Sequence, residues 1–384
     1  MIKKSLIPLV LFFICQTLFS QVEKNIYKLN SINNLLTEKV KKIIDSNIRE
    51  KQTVFLGEAV HYSGSDFLAK TEFVKYLVKE HNYKDIAFES DFFALLFDHD
   101  KRNLYTMWSK ANQCKKLFDF LEKNKVTIWG FDNKIHTVYS HQNFSKKLAE
   151  ILIKNGTILD KEFTRLIKNL MVYQYKSRKK LTNKQIRFLK AYTNQLLENN
   201  TISLNVTWTQ ILNSLKSAIE LYTVKDNYSD KKRIPIRDKQ MAKNLDFLVK
   251  QNPDKKFLVW LANGHMSKSN EDWMMGQTMG HQFRELNPNT SYHIAFGTMR
   301  LPPRDEKDIQ KALESDKTIL SFLPSINDNY FIDAHQIINK SEEIKYLEIN
   351  DLNIFNNLRK KSKLFAHFDA LVFIANGKEV KYVK

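Results

Sequence analysis

Four short segments place ionisable residues directly behind apolar runs. Gly57-Glu58-Ala59-Val60-His61 follows Thr53-Val54-Phe55-Leu56, and Glu89 follows Asp85-Ile86-Ala87-Phe88. Gly130-Phe131-Asp132 follows Val126-Thr127-Ile128-Trp129, and Asn263-Gly264-His265 closes the run Phe257-Leu258-Val259-Trp260-Leu261. If those runs are parallel strands, residues just past their carboxyl ends converge on one rim of a sheet, where ligands bind. Singly, each has an ordinary explanation as a helix cap, a surface histidine or a turn glycine. Four at equivalent positions point to a titratable centre, because a cap needs only its own loop. An imidazole with an ordinary pKa of about 6.5 can deprotonate water near neutrality when a carboxylate fixes its tautomer and stabilises the imidazolium. His61 is the candidate base and Glu58 or Glu89 its orienting carboxylate. His265 is the candidate for stabilising an oxyanion or protonating a leaving alkoxide.

The elements that must hold these residues follow from periodicity. Those four runs, with Tyr292–Phe296 and Ala370–Ile374, are continuously apolar over strand length, as strands covered on both faces are. Helical patterns such as Phe67, Phe73, Val74, Leu77 and Val78 lie between them. The expected class is α/β: a mixed, largely parallel central sheet flanked by helices. No glycine occurs between Gly156 and Gly264, and the only prolines there are Pro235 and Pro253. A helical insertion over 137–234 is therefore expected as a cap, between a first core part at 21–136 and a second at 235–384.

Composition narrows the class. The 384 residues are 43% hydrophobic and 27% charged, with nine glycines, seven prolines and two cysteines, which excludes collagen-like, linker-like and disulfide-dense chains. Lys3 and Lys4 ahead of an apolar run from Leu6 to Cys15 read as an export signal over residues 1–20, cleaved after Ser20. The run is short of the roughly 20 residues that span a bilayer, so a periplasmic or secreted protein without stable membrane insertion is expected. Cys114 is then the only thiol left, and stability must come from packing. The formal charge of +19 raises the question of nucleic acid, but the lysines are spread among acids and asparagines on expected helix faces, so a solvated surface and no nucleic-acid partner are expected.

Six motifs in this order resemble the erythromycin esterase family: Gly57-Glu58-x-x-His61, Ala87-Phe88-Glu89-Ser90, Gly130-x-Asp132, Arg237-Asp238-x-x-Met241-Ala242-x-Asn244, Asn263-x-His265 and Met275-Gly276-x-x-x-Gly280. The resemblance runs from about Thr53 to Ile374. It implies a mixed α/β core with a helical portion and, as the best-known activity, hydrolysis of a cyclic ester without an obligatory metal. It matches His61 to the water-activating base, Glu58 and Glu89 to the acids around it, and His265 to the second histidine of the later motif. Two departures weigh against a macrolide substrate. Ala262 stands where the later motif usually opens with histidine, and Lys70 stands where macrolide esterases carry an arginine, whose bidentate contact lysine cannot reproduce. Lys70, Asp132, Arg237 and Asn263 are the expected substrate contacts.

No Gly-x-Ser-x-Gly elbow supports a serine nucleophile, and Cys114 has no local partner. The expected function is hydrolysis of a small-molecule ester or lactone by histidine-activated water. Two alternatives use the same rim. Glu58, His61, Glu89 and His265 contain enough donors for a divalent metal, although no His-x-x-x-His motif is present. A binding protein without turnover would instead hold a small molecule under the cap, against Tyr173, Tyr175, Tyr192 and Trp208.

Overall fold

The fold is taken from a computed structural model. It describes residues 20–383 apart from 174–179, 225–231, 275, 302–305, 315–317, 353 and 356–360. The expected signal over residues 1–20, apart from Ser20, therefore lies outside the described residues, as do Tyr175, Met275 and the side chain of Tyr173. Among the described residues no helix is long and apolar enough to cross a membrane.

All six apolar runs are strands of one eight-stranded sheet in the order β1-β7-β10-β6-β2-β5-β3-β4. They are β2 (Thr53–Glu58), β3 (Asp85–Asp91), β4 (Thr127–Asp132), β5 (Phe257–Ala262), β6 (Ser291–Arg300) and β10 (Ala370–Asn376). These six pair in parallel. Two strands of three residues each, β1 (Ile26–Lys28) and β7 (Tyr330–Ile332), extend one edge antiparallel and make the sheet mixed. They are too short to leave a periodic trace in the sequence, as is the two-stranded ribbon of β8 (Ile349–Asn350) and β9 (Lys361–Ser362).

Period-two alternation sorts the sheet residues into two apolar layers. Val54, Leu56, Ile86, Phe88, Leu258 and Trp260 turn toward α1 (Gly64–His81). Phe55, Ala87, Phe257, Val259 and Leu261 turn the other way, toward the helices that join β4 to β5. Those are α2 (Val138–Ile153), α3 (Lys161–Tyr173), α4 (Asn183–Glu198), α5 (Val206–Thr223) and α6 (Arg233–Gln251), with one short turn between α4 and α5. Pro235 sits in the first turn of α6, where its missing N–H would have had no intrahelical partner. Thr137 caps α2 by accepting from Ser140 N at 3.1 Å. Buried Asp91, at the end of β3, accepts from the backbone N–H groups of His136 and Thr137 and from the hydroxyls of Thr137 and Ser140, at 2.7–3.1 Å. That carboxylate ties the start of the helical segment to the sheet. After β5 the chain passes through α7 (Met279–Leu286) into β6.

The aromatic residues of the helical segment serve packing. Trp208 is 4% exposed and lies among the rings of Phe93, Phe97 and Phe144, while Tyr192 packs on Phe163 and its hydroxyl accepts from Asp160 N at 3.0 Å. Both rings are thus taken up in packing, the commoner fate of such residues. An open depression of about 360 Å³ does exist in this region, but its walls are Gln142, Lys146, Ile153, Ile158 and Lys168 with their neighbours, and no aromatic ring.

Candidate active site

β5 is inserted between β2 and β3, so the carboxyl ends of β2, β5, β3 and β4 stand side by side. Alternation then decides which way each acid points. Glu58 continues the face of Val54 and Leu56 and meets α1, whereas Glu89 continues the face of Ala87 and meets α6. The rim therefore carries two linked clusters, one on each face of the sheet.

The first is built on Glu58, which is fully buried. Its Oε1 accepts from His61 Nδ1 at 3.0 Å and from Trp108 Nε1 at 3.2 Å, and its Oε2 takes a short hydrogen bond from Lys70 Nζ. A carboxylate can only accept, so Nδ1 of His61 carries the hydrogen and Nε2 carries the lone pair. The His61 side chain is 41% exposed. Lys70 is buried, and its ammonium lies 3.8 Å from the centre of the Trp260 ring. Burial pulls its pKa down against the opposing pull of Glu58.

The loop bearing His61 is held from three sides. Ser63 caps α1 by accepting from Asp66 N at 3.2 Å, and Asp66 Oδ2 accepts from Ala59 N at 3.2 Å. Thr298 of β6 donates to Asp66 Oδ1 at 2.6 Å. The C-terminal segment crosses the loop, with Val380 N donating to Tyr62 O at 2.9 Å. Burial pushes the Asp66 carboxyl up to about 6, against the hydrogen bonds from Thr298 and its neighbours. Gly57 is required by a close approach, because a Cβ there would stand 2.2 Å from Asn263 Oδ1 and 2.8 Å from Met266.

The second cluster is built on Arg237, in the second turn of α6. Its Nε and NH2 grip both oxygens of Asp132 at 3.1 and 2.7 Å, and NH2 also reaches Glu89 Oε1 at 2.6 Å. Glu89 Oε2 accepts from Ala262 N at 3.2 Å, which links β3 to the end of β5. Burial opposes ionisation of Glu89, but Arg237, His265 and His61 outweigh it and hold the carboxyl well below the usual range. Burial likewise opposes ionisation of Asp132, and Arg237 with Lys134 outweighs it.

His265 lies on the helical turn Asn263–Met266. Arg237 NH1 can only donate, so at 3.0 Å it makes Nε2 of His265 the acceptor, while Nδ1 donates to Asp238 Oδ2 at 3.0 Å. Burial resists protonation of this imidazole, yet Asp238 and Glu89 outweigh it and raise its pKa. His265 can thus take up a second proton at Nε2 by giving up its contact with Arg237.

Of the four residues expected to contact substrate, only Arg237 keeps exposed surface, at 12% of its side chain. Lys70 and Asn263 are fully buried and Asp132 nearly so. Lys70 pairs with Glu58, Asp132 pairs with Arg237, and Asn263 donates to Phe296 O and Ile354 O at 2.9 and 2.8 Å. Trp108, Asp66 and Asp238 are additional members. Asp238 adjoins Arg237 in sequence, but Trp108 joins Glu58 across 50 residues and leaves no local signal. Cys114 is buried, and burial pushes its thiol pKa up, which leaves it unsuited to nucleophilic attack. Both rim glutamates are engaged by cationic side chains, and among the described residues no three His, Cys, Asp or Glu side chains are gathered to hold a metal ion.

The family profile described as erythromycin esterase matches residues 75–376. A Bacillus subtilis (strain 168) protein named "Putative hydrolase YbfO" is 24% identical over 341 residues, which span 75% of this chain and 74% of that one. A crystal structure of a Bacillus cereus protein superposes with a TM-score of 0.73 at 17% identity, covering 96% of this chain and 99% of the other. A histidine-to-asparagine variant of the erythromycin esterase EreC, in its open conformation, superposes with a TM-score of 0.67 at 15% identity, covering 94% and 99%. At such identities the superpositions speak to the fold, which is the mixed α/β fold of that esterase.

Proposed function

Because this chain belongs to the erythromycin esterase family, we propose that it is a hydrolase that cleaves a small-molecule ester or lactone by attack of water activated at His61. The observation that carries this reading is the His61–Glu58 pair. The buried carboxylate accepts a hydrogen bond from Nδ1 and so leaves the lone pair on Nε2, on a side chain that is 41% exposed. Water bound at Nε2 gives up a proton to the imidazole as its oxygen attacks the scissile carbonyl, and Glu58 stabilises the imidazolium that forms. Trp108 and Lys70 hold Glu58 in place by hydrogen bonds to its two oxygens. The partly exposed Arg237–His265 pair supplies positive charge for the oxyanion, and His265, with its raised pKa, delivers a proton to the departing alkoxide. Ala262 in place of a histidine removes one contact from this rim, which supports a substrate other than a macrolide. The signal-like residues 1–20 support action outside the cytoplasm.

The test is a panel of 4-nitrophenyl esters and lactones with the purified chain, with and without chelator. Turnover is expected to survive chelation and to fall about 100- to 10,000-fold in His61→Ala, with the circular dichroism unchanged. Undiminished turnover in that variant would refute the assignment.

A further inference from the structure

Lys134 lies two residues beyond the end of β4, on the same rim as Glu89 and Asp132. Its backbone N–H donates to Asp132 Oδ1 at 3.2 Å, and its neighbour Asn133 is buried and donates to Ser217 Oγ of α5 at 2.8 Å. The segment is thus wedged between the sheet and the helical region, with the Lys134 side chain half-buried. The charged and titratable groups acting on its amine include Arg237 and Arg233 from α6, Asp132 from β4, Glu89 from β3 and, two residues along the same loop, His136. Both of those acids are already held by Arg237, and among the described residues no carboxylate lies within ion-pair distance of Lys134 Nζ. Lys70 and Arg237 each have dedicated acids; Lys134 has none. The repulsion of Arg237 and burial bring its pKa down to about 8.

A second observation concerns the wider field. Residues 137–234, which follow this lysine in sequence, contain eighteen Lys and Arg against seven Asp and Glu, so more than half of the net charge of +19 belongs to that stretch of the sequence. Such an imbalance attracts small anions.

We propose that Lys134 anchors an anionic group of the substrate, so that the ester or lactone carries a carboxylate or phosphate apart from its scissile bond. This rests on the hydrolytic reading above and adds the class of substrate. A cationic amine on the substrate would meet the wrong sign of charge at this position.

The experiment compares 4-nitrophenyl butyrate, which is neutral, with 4-nitrophenyl hemisuccinate and the 4-nitrophenyl ester of 3-phosphonopropanoate, in wild type, Lys134→Gln and Lys134→Arg. Wild type is expected to prefer one of the anionic esters over the butyrate, and which one identifies the anion. Lys134→Gln should cut that preference about tenfold, mainly through KM, and Lys134→Arg should restore it. The preference should fade in wild type above about pH 8, as the amine loses its proton, and persist in Lys134→Arg. The pH comparison decides the matter should Lys134→Gln fail to fold. Equal kcat/KM for neutral and anionic esters in wild type overturns the inference and leaves the hydrolytic reading intact. If no ester is turned over, calorimetry with monomethyl succinate decides. Binding by wild type that is lost in Lys134→Gln upholds the anchor, and no binding by wild type overturns it.

Discussion

Replacing Arg237 with methionine should damage stability in a way that depends on pH. The guanidinium, with only 12% of its side chain exposed, is the cationic partner of Glu89 and Asp132, whose side chains are 3% and 0% exposed. Removing one partner of a buried pair usually costs about 3–5 kcal/mol, because the remaining charge is left without compensation. Two carboxylates are stranded here, which places the expected loss near the upper end at pH 7.5. In the wild type both carboxyls titrate below their unfolded values, so they contribute stability that is present above about pH 4 and is lost as the pH falls further. In Arg237→Met burial acts with much less opposition, the folded pKa values rise above the unfolded ones, and stability declines as the pH climbs past 4. The gap between the two proteins should therefore be widest near neutrality and shrink by several kcal/mol toward pH 4. Urea unfolding of both proteins at pH 7.5, 5.5 and 4.0 measures it. A gap below about 1 kcal/mol at pH 7.5, or one that does not vary with pH, would refute the account of the rim as an ion cluster organised by one arginine.

Three further outcomes follow from the same contacts. Trp108→Phe deletes the indole N–H bond to Glu58 and should cost about 1–2 kcal/mol in urea unfolding, with a smaller fall in kcat than His61→Ala produces. Gly57→Ala forces a Cβ against Asn263 and Met266 and should cost about 1–3 kcal/mol. Gly264→Ala, with nothing within 4 Å of the added carbon, should stay within about 0.5 kcal/mol, and equal effects at the two positions would contradict the packing described. Asp66 has a folded pKa raised to about 6, so its ionisation opposes folding as the pH rises from about 4 through 6. Asp66→Asn should consequently gain about 2–3 kcal/mol relative to wild type between pH 4 and pH 7.5, as read by thermal or urea unfolding at the two pH values.

The six central strands were legible in the sequence because a strand covered on both faces must be apolar at every position, and that signal is local. The ionisable residues at the strand ends were legible for a related reason: a single polar position closing such a run stands out within a few residues. Local signals could not show which layer each acid would face, since Glu58 and Glu89 end similar runs and differ only in which neighbours alternation presents them to. Nor could they show the partners, because Trp108 joins Glu58 across 50 residues and Arg237 joins Glu89 across 148. Lys70 illustrates the difference. Its place in the helix after the first motif was visible, but only the packing of α1 on the sheet turned it inward, where it is fully buried and paired with Glu58. Composition and periodicity thus determined which residues carry charge at the ends of which strands. The tertiary fold decided which of those charges are neutralised in the interior and which remain accessible, because neutralisation depends on long-range packing and the resulting loss of water.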